Sequence, residues 1–327
     1  MNDKKNKVSV IVPVWGVERY IEKCARSLFE QTLDEIEFIF VDDCTPDKSI
    51  AVLKEVMNTY PARVNQTKII CHSQNRGLPQ ARRTGVEAAS GEYLIFCDSD
   101  DYVEKEMYST MYEYAISNHC DLVHCDIDVV SDNGLVKSLT ARDNHLSSDD
   151  LRQLIVDGDI SNSLCNKLVK RTIYQNHDIV FPQFGMNEDN AVAIQLAYYS
   201  KNLGYINKSF YKAYVNNSSM SRIPGEEQQN KKYQESLENS RFMVDFLVSN
   251  GYDVKSKAML RAKMRPKIVL FTLLYKVKYV KTWRETYPEV NRMALVDKRL
   301  PFGVRVRSFF TLTYLYPVFY KYLTKWH

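Results

Sequence analysis

Apolar positions in the first 130 residues arrive in short unbroken runs, separated by stretches with helical spacing. VSVIVPV (8–14) and IEFIFVD (36–42) are continuous β-branched and aromatic runs, the pattern of strands buried on both faces. TKIIC (67–71), YLIFC (93–97) and DLVHCDI (121–127) follow in kind. Helical patterns fill 18–31, 47–59, 79–90 and 104–118. Gly91 stands just past the third, where a helix end favours a residue that accepts positive φ. Strands alternating with helices of this length predict βαβ units, an α/β fold with a mostly parallel sheet and flanking helices. Ligands of such sheets sit beyond the carboxyl ends of the strands. Three polar clusters fall there: PVWG (13–16), DDCTPD (42–47) and CDSDD (97–101).

Residues 130–222 are less regular. SSDDLRQLIVDG opens like a capped helix with Ser147 or Ser148 as N-cap, NEDNAVAIQLAYYS reads as a second helix, and YKAYVNN as a strand. From about 226 the pattern is helical: 227–249, 256–281, then FGVRVRSFFTLTYLYPVFYKYLTKW, which Pro317 is expected to kink or end. The boundary falls near 222, leaving 223–327 as a C-terminal helical region.

Charge sharpens that division. From residue 255 onward there are 17 Lys and Arg against 3 Asp and Glu, a net of +14, although the whole chain carries only +4. The preceding 254 residues therefore carry −10. An acidic front and a basic, aromatic rear suggest a catalytic body joined to a surface-binding tail. The rear admits two readings, a face lying on an anionic membrane or a helical bundle with solvated charges. No nucleic-acid-binding motif accompanies the charge, so nucleic acid is not an expected partner. The apolar run after the charged N-terminus is too short for a signal peptide or a bilayer span. Seven cysteines without C-x-x-C spacing read as reduced thiols of a cytoplasmic protein, peripheral on the inner membrane face if the rear binds lipid.

The chemistry concentrates where strands end. Asp98 and Asp100 flank Ser99, and Asp101 follows, so three carboxylates crowd four residues. Two hard oxygen donors in a cleft suit Mn²⁺ or Mg²⁺, which also takes substrate phosphates. The alternative is a solvated turn. A calcium loop fails on spacing, since Tyr102, Val103 and Ser109 stand where ligands and the glycine belong. At the second strand end, Asp42 or Asp43 can accept from a nucleotide base or ribose, while Thr45 or Asp47 caps the next helix. NRGLPQARRTG (75–85) puts Arg76, Arg82 and Arg83 near a helix N-terminus suited to a diphosphate, with a solvated face the alternative for at least one of them. Glu188 and Asp189 open another helix, where an acid serves either the dipole or an acceptor hydroxyl.

These segments, in this order, resemble the family 2 inverting glycosyltransferases of GT-A fold, over about residues 7–222. The resemblance implies a nucleotide-sugar transferase, a UDP-sugar donor and a divalent cation. Pro13 and Val14 would line the nucleotide pocket, Asp43 would bind uracil, and Arg76 would lie near base or diphosphate. Asp98, beside Ser99, would touch ribose or donor sugar, Asp100 would hold the metal, and Asp189 would be the general base. Arg83 departs from the pattern, where Asn is frequent, and no Q-x-x-R-W follows the Glu-Asp pair, which argues against a processive synthase. NSLCNKLVKR and YKAYVNNSSMSR are similar to segments of capsule and surface-polysaccharide transferases. They place Asn166, Lys167, Ser219 and Arg222 on the side of a saccharide or lipid-linked acceptor, where Glu188 of the Glu-Asp pair would also lie. Two other readings share the sheet: a sugar-nucleotide nucleotidyltransferase, which PVWGVERY lacks the Gly-rich loop for, and a non-catalytic binding protein.

Overall fold

The computed structural model describes residues 6–141, 146–215, 225–298 and 300–323. The chain divides into two compact units, Met1–Gly185 with Val192–Asn217, and Met186–Ala191 with Ser218–His327. Nine strands form one sheet: β1 (Val8–Val14), β2 (Ile36–Asp42), β3 (Thr67–Cys71), β4 (Tyr93–Phe96), β5 (Tyr102–Val103), β6 (Leu122–Ser131), β7 (Gly134–Leu139), β8 (Lys167–Lys170) and β9 (Leu203–Tyr214). Helices α1 (Ile21–Phe29), α2 (Ser49–Asn58), α3 (Pro61–Val64), α4 (Leu78–Ala88), α5 (Met107–Ser117), α6 (Ser148–Asp157), α7 (Arg171–Asn176) and α8 (Glu188–Tyr199) intervene.

The spatial order is β3-β2-β1-β4-β8-β6-β9-β5, with β7 on β6. β3, β2, β1 and β4 pair in parallel, as their continuous apolar runs require. β1 is buried at all seven positions, packed between β2 and β4. β8 then enters antiparallel between β4 and β6, so the regular beat breaks in space after β4. β9 runs parallel to β6 and antiparallel to the short β5. The chain therefore crosses from the end of β4 to the far edge of the sheet through residues 97–101, the most acidic of the three clusters.

Near the amino end of β2 the sheet carries a buried acid of another kind. Glu37 accepts from Ser9 Oγ at 2.6 Å, Ser90 N at 2.6 Å and Lys68 Nζ at 2.8 Å. Burial pushes its carboxyl up, but the Lys68, Ser9 and Ser90 donors outweigh that and hold it below the ordinary range. Gly91 belongs to this cluster, donating its N–H to Ser9 Oγ at 2.8 Å. The expected positive φ is absent there. What excludes a side chain is space: a Cβ would lie 2.6 Å from Ser9 N and 2.8 Å from Val8 C.

The second unit is helical: α9 (Glu226–Ser249), α10 (Lys257–Leu270), α11 (Val277–Glu285), α12 (Met293–Val296), α13 (Phe302–Leu312) and α14 (Tyr316–Leu323). The single helix expected over 256–281 is two, because α10 closes in tight turns over 271–276. Pro266 lies inside α10, where it cannot donate to Ala262 O; Ser240 Oγ supplies that bond instead at 2.8 Å. Pro317 neither kinks nor ends a helix. It is the second residue of α14, where its missing N–H costs nothing, and the break lies before it, at Tyr314 with φ 60°. Around Trp283, Phe271, Leu274 and Tyr316 the unit builds its own core. Lys267 is buried there, its ammonium over the Trp283 ring at 3.9 Å and bonded to the carbonyls of Trp283 and Thr286. Burial pulls its pKa down to about 7.

Gly91→Ala is expected to cost about 1–3 kcal/mol, since backbone rather than a flexible side chain must give way. A urea midpoint matching wild type would show that β1 can shift to admit the methyl.

Candidate active site

Two loops of the first unit meet the expectation of a polar floor at the carboxyl ends of β1 and β2. Asp47 organises the first. Its Oδ1 accepts from Thr45 Oγ1 at 2.8 Å and from Ser49 N at 3.0 Å, capping α2 from one residue before the N-cap. Its Oδ2 accepts from Glu18 N at 2.9 Å. Thr45 Oγ1 accepts from Gly16 N at 2.8 Å, so the 42–49 loop holds the 15–18 loop in place. Pro13 and Val14 are buried inside the β1–β2 ladder, paired with Val41 and Asp42. Trp15, just beyond that strand end, is exposed.

Asp43 ties β2 to the loop before α4. It is 3% exposed; Oδ1 faces His72 Nδ1 at 2.7 Å and accepts from Arg76 N at 2.8 Å. Oδ2 accepts from Gly77 N at 2.8 Å. Gly77 has φ +86°, which a side chain rarely adopts, and α4 starts directly after it. Three of the roughly four acceptor sites of a carboxylate are thus used within the protein. The Arg76 side chain is exposed on the same loop.

The acidic turn after β4 is held from beneath. Arg82, 1% exposed on α4, donates through Nη2 to Asp98 Oδ1 at 2.8 Å and lies 5.6 Å over the Phe96 ring. Helical spacing explains its position, since Arg82 is buried on α4 together with Pro79, Ala81 and Gly85. Arg83, one residue on, pairs with Glu87 on the exposed face at 2.9 Å. On the other side Tyr211 of β9 donates its hydroxyl to Asp101 Oδ2 at 2.6 Å and accepts from Asp98 N at 3.1 Å. Tyr214 N donates to Asp101 Oδ1 at 2.7 Å. Burial, then the charges of Asp98 and Asp100, pushes the Asp101 carboxyl well above the ordinary range. Ser99 is buried within the turn, and Asp100 is half-buried.

Among the described residues no group of three or more His, Cys, Asp or Glu is gathered to hold a metal unaided. A hard cation that completes its shell with water and phosphate oxygens needs only one or two carboxylates, and the Asp98–Asp100 pair fits that donor set.

Asp189 and the buried Glu188 form the first turn of α8, within the segment Met186–Ala191 that belongs to the second unit. There Asn187, at φ 66°, accepts from Ser236 Oγ at 2.6 Å, and Met186 O accepts from Asn239 Nδ2 at 2.8 Å. Asn166 and Lys167 do not meet the expectation of an acceptor-facing pair. Both are buried: Lys167 Nζ donates to the carbonyls of Ser161 and Ser163 at 2.7 Å, and Asn166 Nδ2 to Cys125 O. Those bonds close the entry to β8 against β6, beside a His124 that burial and Lys167 keep neutral. Ser219 and Arg222 lie outside the described residues. Sequence reading missed His72 and Tyr211; of the pair it placed near the head of a helix, Arg82 is buried and Arg83 lies on the solvated face.

A sheet whose parallel strands β1, β2 and β4 end in polar loops and an acidic turn defines an α/β protein with a candidate ligand site at those carboxyl ends. The family model for glycosyl transferase family 2 matches residues 9–186, and the chain belongs to that family. The uncharacterized glycosyltransferase EpsJ of Bacillus subtilis (strain 168) is 45% identical over 118 residues, 36% of this chain and 33% of that protein. A second Bacillus subtilis protein, EpsH, is 30% identical over 221 residues, 65% of this chain and 62% of its own length. The chain thus spans a third to under two thirds of these relatives. The crystal structure of S. aureus TarS 1–349 in complex with UDP-GlcNAc superposes with a TM-score of 0.61 at 20% identity, covering 95% of this chain and 88% of that one. That likeness shows the GT-A fold.

Tyr211→Phe is expected to cost about 1–3 kcal/mol, since it strips Asp101 Oδ2 and Asp98 N of a partner at once. For Asp101 the raised folded value means the native state holds the proton more tightly than the unfolded chain. Stability from this group is therefore greatest at acid pH and is lost as pH rises from the ordinary carboxylate range toward the raised folded value. The stability of wild type relative to Asp101→Asn should fall along that rise, measured by urea unfolding. A difference independent of pH would mean Asp101 is ionised throughout.

Proposed function

We propose that the chain transfers a sugar from a UDP-sugar to a saccharide or lipid-linked acceptor, with inversion, during assembly of a surface polysaccharide. Family membership supports the reaction class, and one structural observation carries the reading. The acidic turn after β4 is braced by Arg82 and Tyr211, so its carboxylates are preorganised where ligands of parallel sheets bind. Residues 1–222 are the catalytic part in this reading, and 223–327 the helical appendage.

Each residue has a task. Trp15, beside Pro13 and Val14, offers a face for the uracil ring, and Asp43 keeps one acceptor site for a base N–H beyond its three protein donors. Arg76 neutralises diphosphate charge. Asp98, oriented by Arg82, accepts from a ribose or donor-sugar hydroxyl. Asp100 supplies the hard oxygen for Mn²⁺ or Mg²⁺, which would offset charge building on the departing diphosphate. Asp189 takes the proton of the acceptor hydroxyl as that oxygen attacks the anomeric carbon opposite the nucleotide. A single displacement of this kind inverts configuration and needs only one base. The site operates at the inner face of the membrane, where lipid-linked acceptors are presented.

Calorimetric titration with UDP should show Mn²⁺-dependent binding that Asp100→Ala weakens at least about ten-fold. Asp189→Asn should retain UDP binding and lose roughly 10²–10⁴-fold in turnover with a matched donor and acceptor. If neither UDP nor another nucleoside diphosphate binds with metal present, the transferase reading fails.

A further inference from the structure

Helix α13 is apolar on both sides: Val304, Phe310 and Leu312 pack against the core of the second unit, and large rings also face outward. Its fully buried side chains are Ser308 and Thr311, each donating back into its own helix, to Val304 O at 2.8 Å and Arg307 O at 2.7 Å. Its outward side carries Phe302, 73% exposed, and Phe309, 50% exposed, with half-buried Val306 between them at helical spacing. Beyond the helix, Tyr314, Leu315 and Val318 are each about half exposed. A solvated helix keeps polar residues on its outward side.

The charge beside this stripe has one sign. Arg305 lies 5.6 Å over the Phe302 ring, Arg307 is exposed, and Arg284 lies 4.2 Å over Tyr314. From Lys298 to His327 the sequence contains no Asp or Glu. Apolar rings flanked by arginines match the boundary between acyl chains and anionic headgroups. A second copy of the chain is a poorer occupant, because a self-complementary interface would bring the same arginines face to face. No helix among the described residues is long and apolar enough to cross a membrane.

We propose that the outward side of α13, with the Tyr314–Val318 segment after it, is a docking surface for an anionic lipid bilayer. It deepens the proposed function, in that a bilayer-bound transferase meets lipid-linked acceptors at the surface, but it rests on α13 alone and not on the donor site. Aromatic side chains would enter the acyl boundary while the arginines engage headgroup phosphates.

The test is sedimentation of the full chain with phosphatidylcholine vesicles, with and without phosphatidylglycerol. Wild type should bind the phosphatidylglycerol vesicles, more weakly as salt rises. Phe302→Ser with Phe309→Ser should lower partitioning roughly ten-fold or more. Arg305→Gln with Arg307→Gln should lower it about five-fold or more and flatten the salt dependence. UDP titration of each variant checks that the fold is intact and keeps the two readings apart: vesicle binding without UDP binding overturns the donor reading only. The docking proposal is overturned if wild type ignores phosphatidylglycerol vesicles, if the aromatic double variant binds them as wild type does, or if that variant dissolves a dimer seen in solution.

Discussion

Three carboxylates in four residues cannot all stand ionised and unsupported at the end of a buried strand, because each raises the cost of charging the next. The turn from β4 to β5 is possible because two other elements absorb that repulsion. Arg82 reaches up from α4 to Asp98, and Tyr211 reaches across from β9 to Asp101. Burying an arginine is itself costly, so the guanidinium and the acid sustain each other. Much of the sheet follows from this arrangement. β4 ends where Arg82 meets Asp98, β5 crosses to the far edge where Tyr211 and Tyr214 hold Asp101, and β9 is positioned by both strands it pairs with.

The sheet holds its acids in two ways, and that difference marks the site. Glu37 near the amino end of β2 is held by hydroxyl, backbone and ammonium donors that join β2 to β1, β3 and the loop before β4. Asp43 is as buried as Glu37 and bonded through both oxygens, whereas Asp98 at the carboxyl end is oriented by Arg82 while a third of its side chain stays exposed. Preorganisation of that kind avoids rearranging the charges when substrate arrives. The second unit uses aromatic rings and cations in two ways. Inside, Lys267 stacks on Trp283 as part of a core; outside, Arg305 stacks on Phe302 at the surface.

Continuous apolar runs and the helices between them made β1 to β4 legible from sequence, because local periodicity and burial on both faces leave few alternatives. The three acidic and polar clusters were legible for the same reason, since strand ends follow from strand positions. The capping box at Ser147 and the acid-rich start of α8 were equally local signals. What the sequence alone could not supply was long-range partnership. Whether Arg82 was solvated or buried depended on α4 packing over β1 and β2 with the end of β4 within reach, and Tyr211 acquired its role only when β9 crossed to β5. Asn166 and Lys167, polar in sequence, became core residues because the insertion of β8 beside β6 demanded donors for stranded carbonyls. Gly91 was marked as special correctly but for the wrong cause, a crowded backbone rather than a left-handed turn. Hydrophobic periodicity thus determined the elements and their ends; tertiary structure alone decided which charges are paired, because pairing depends on residues far apart in the chain.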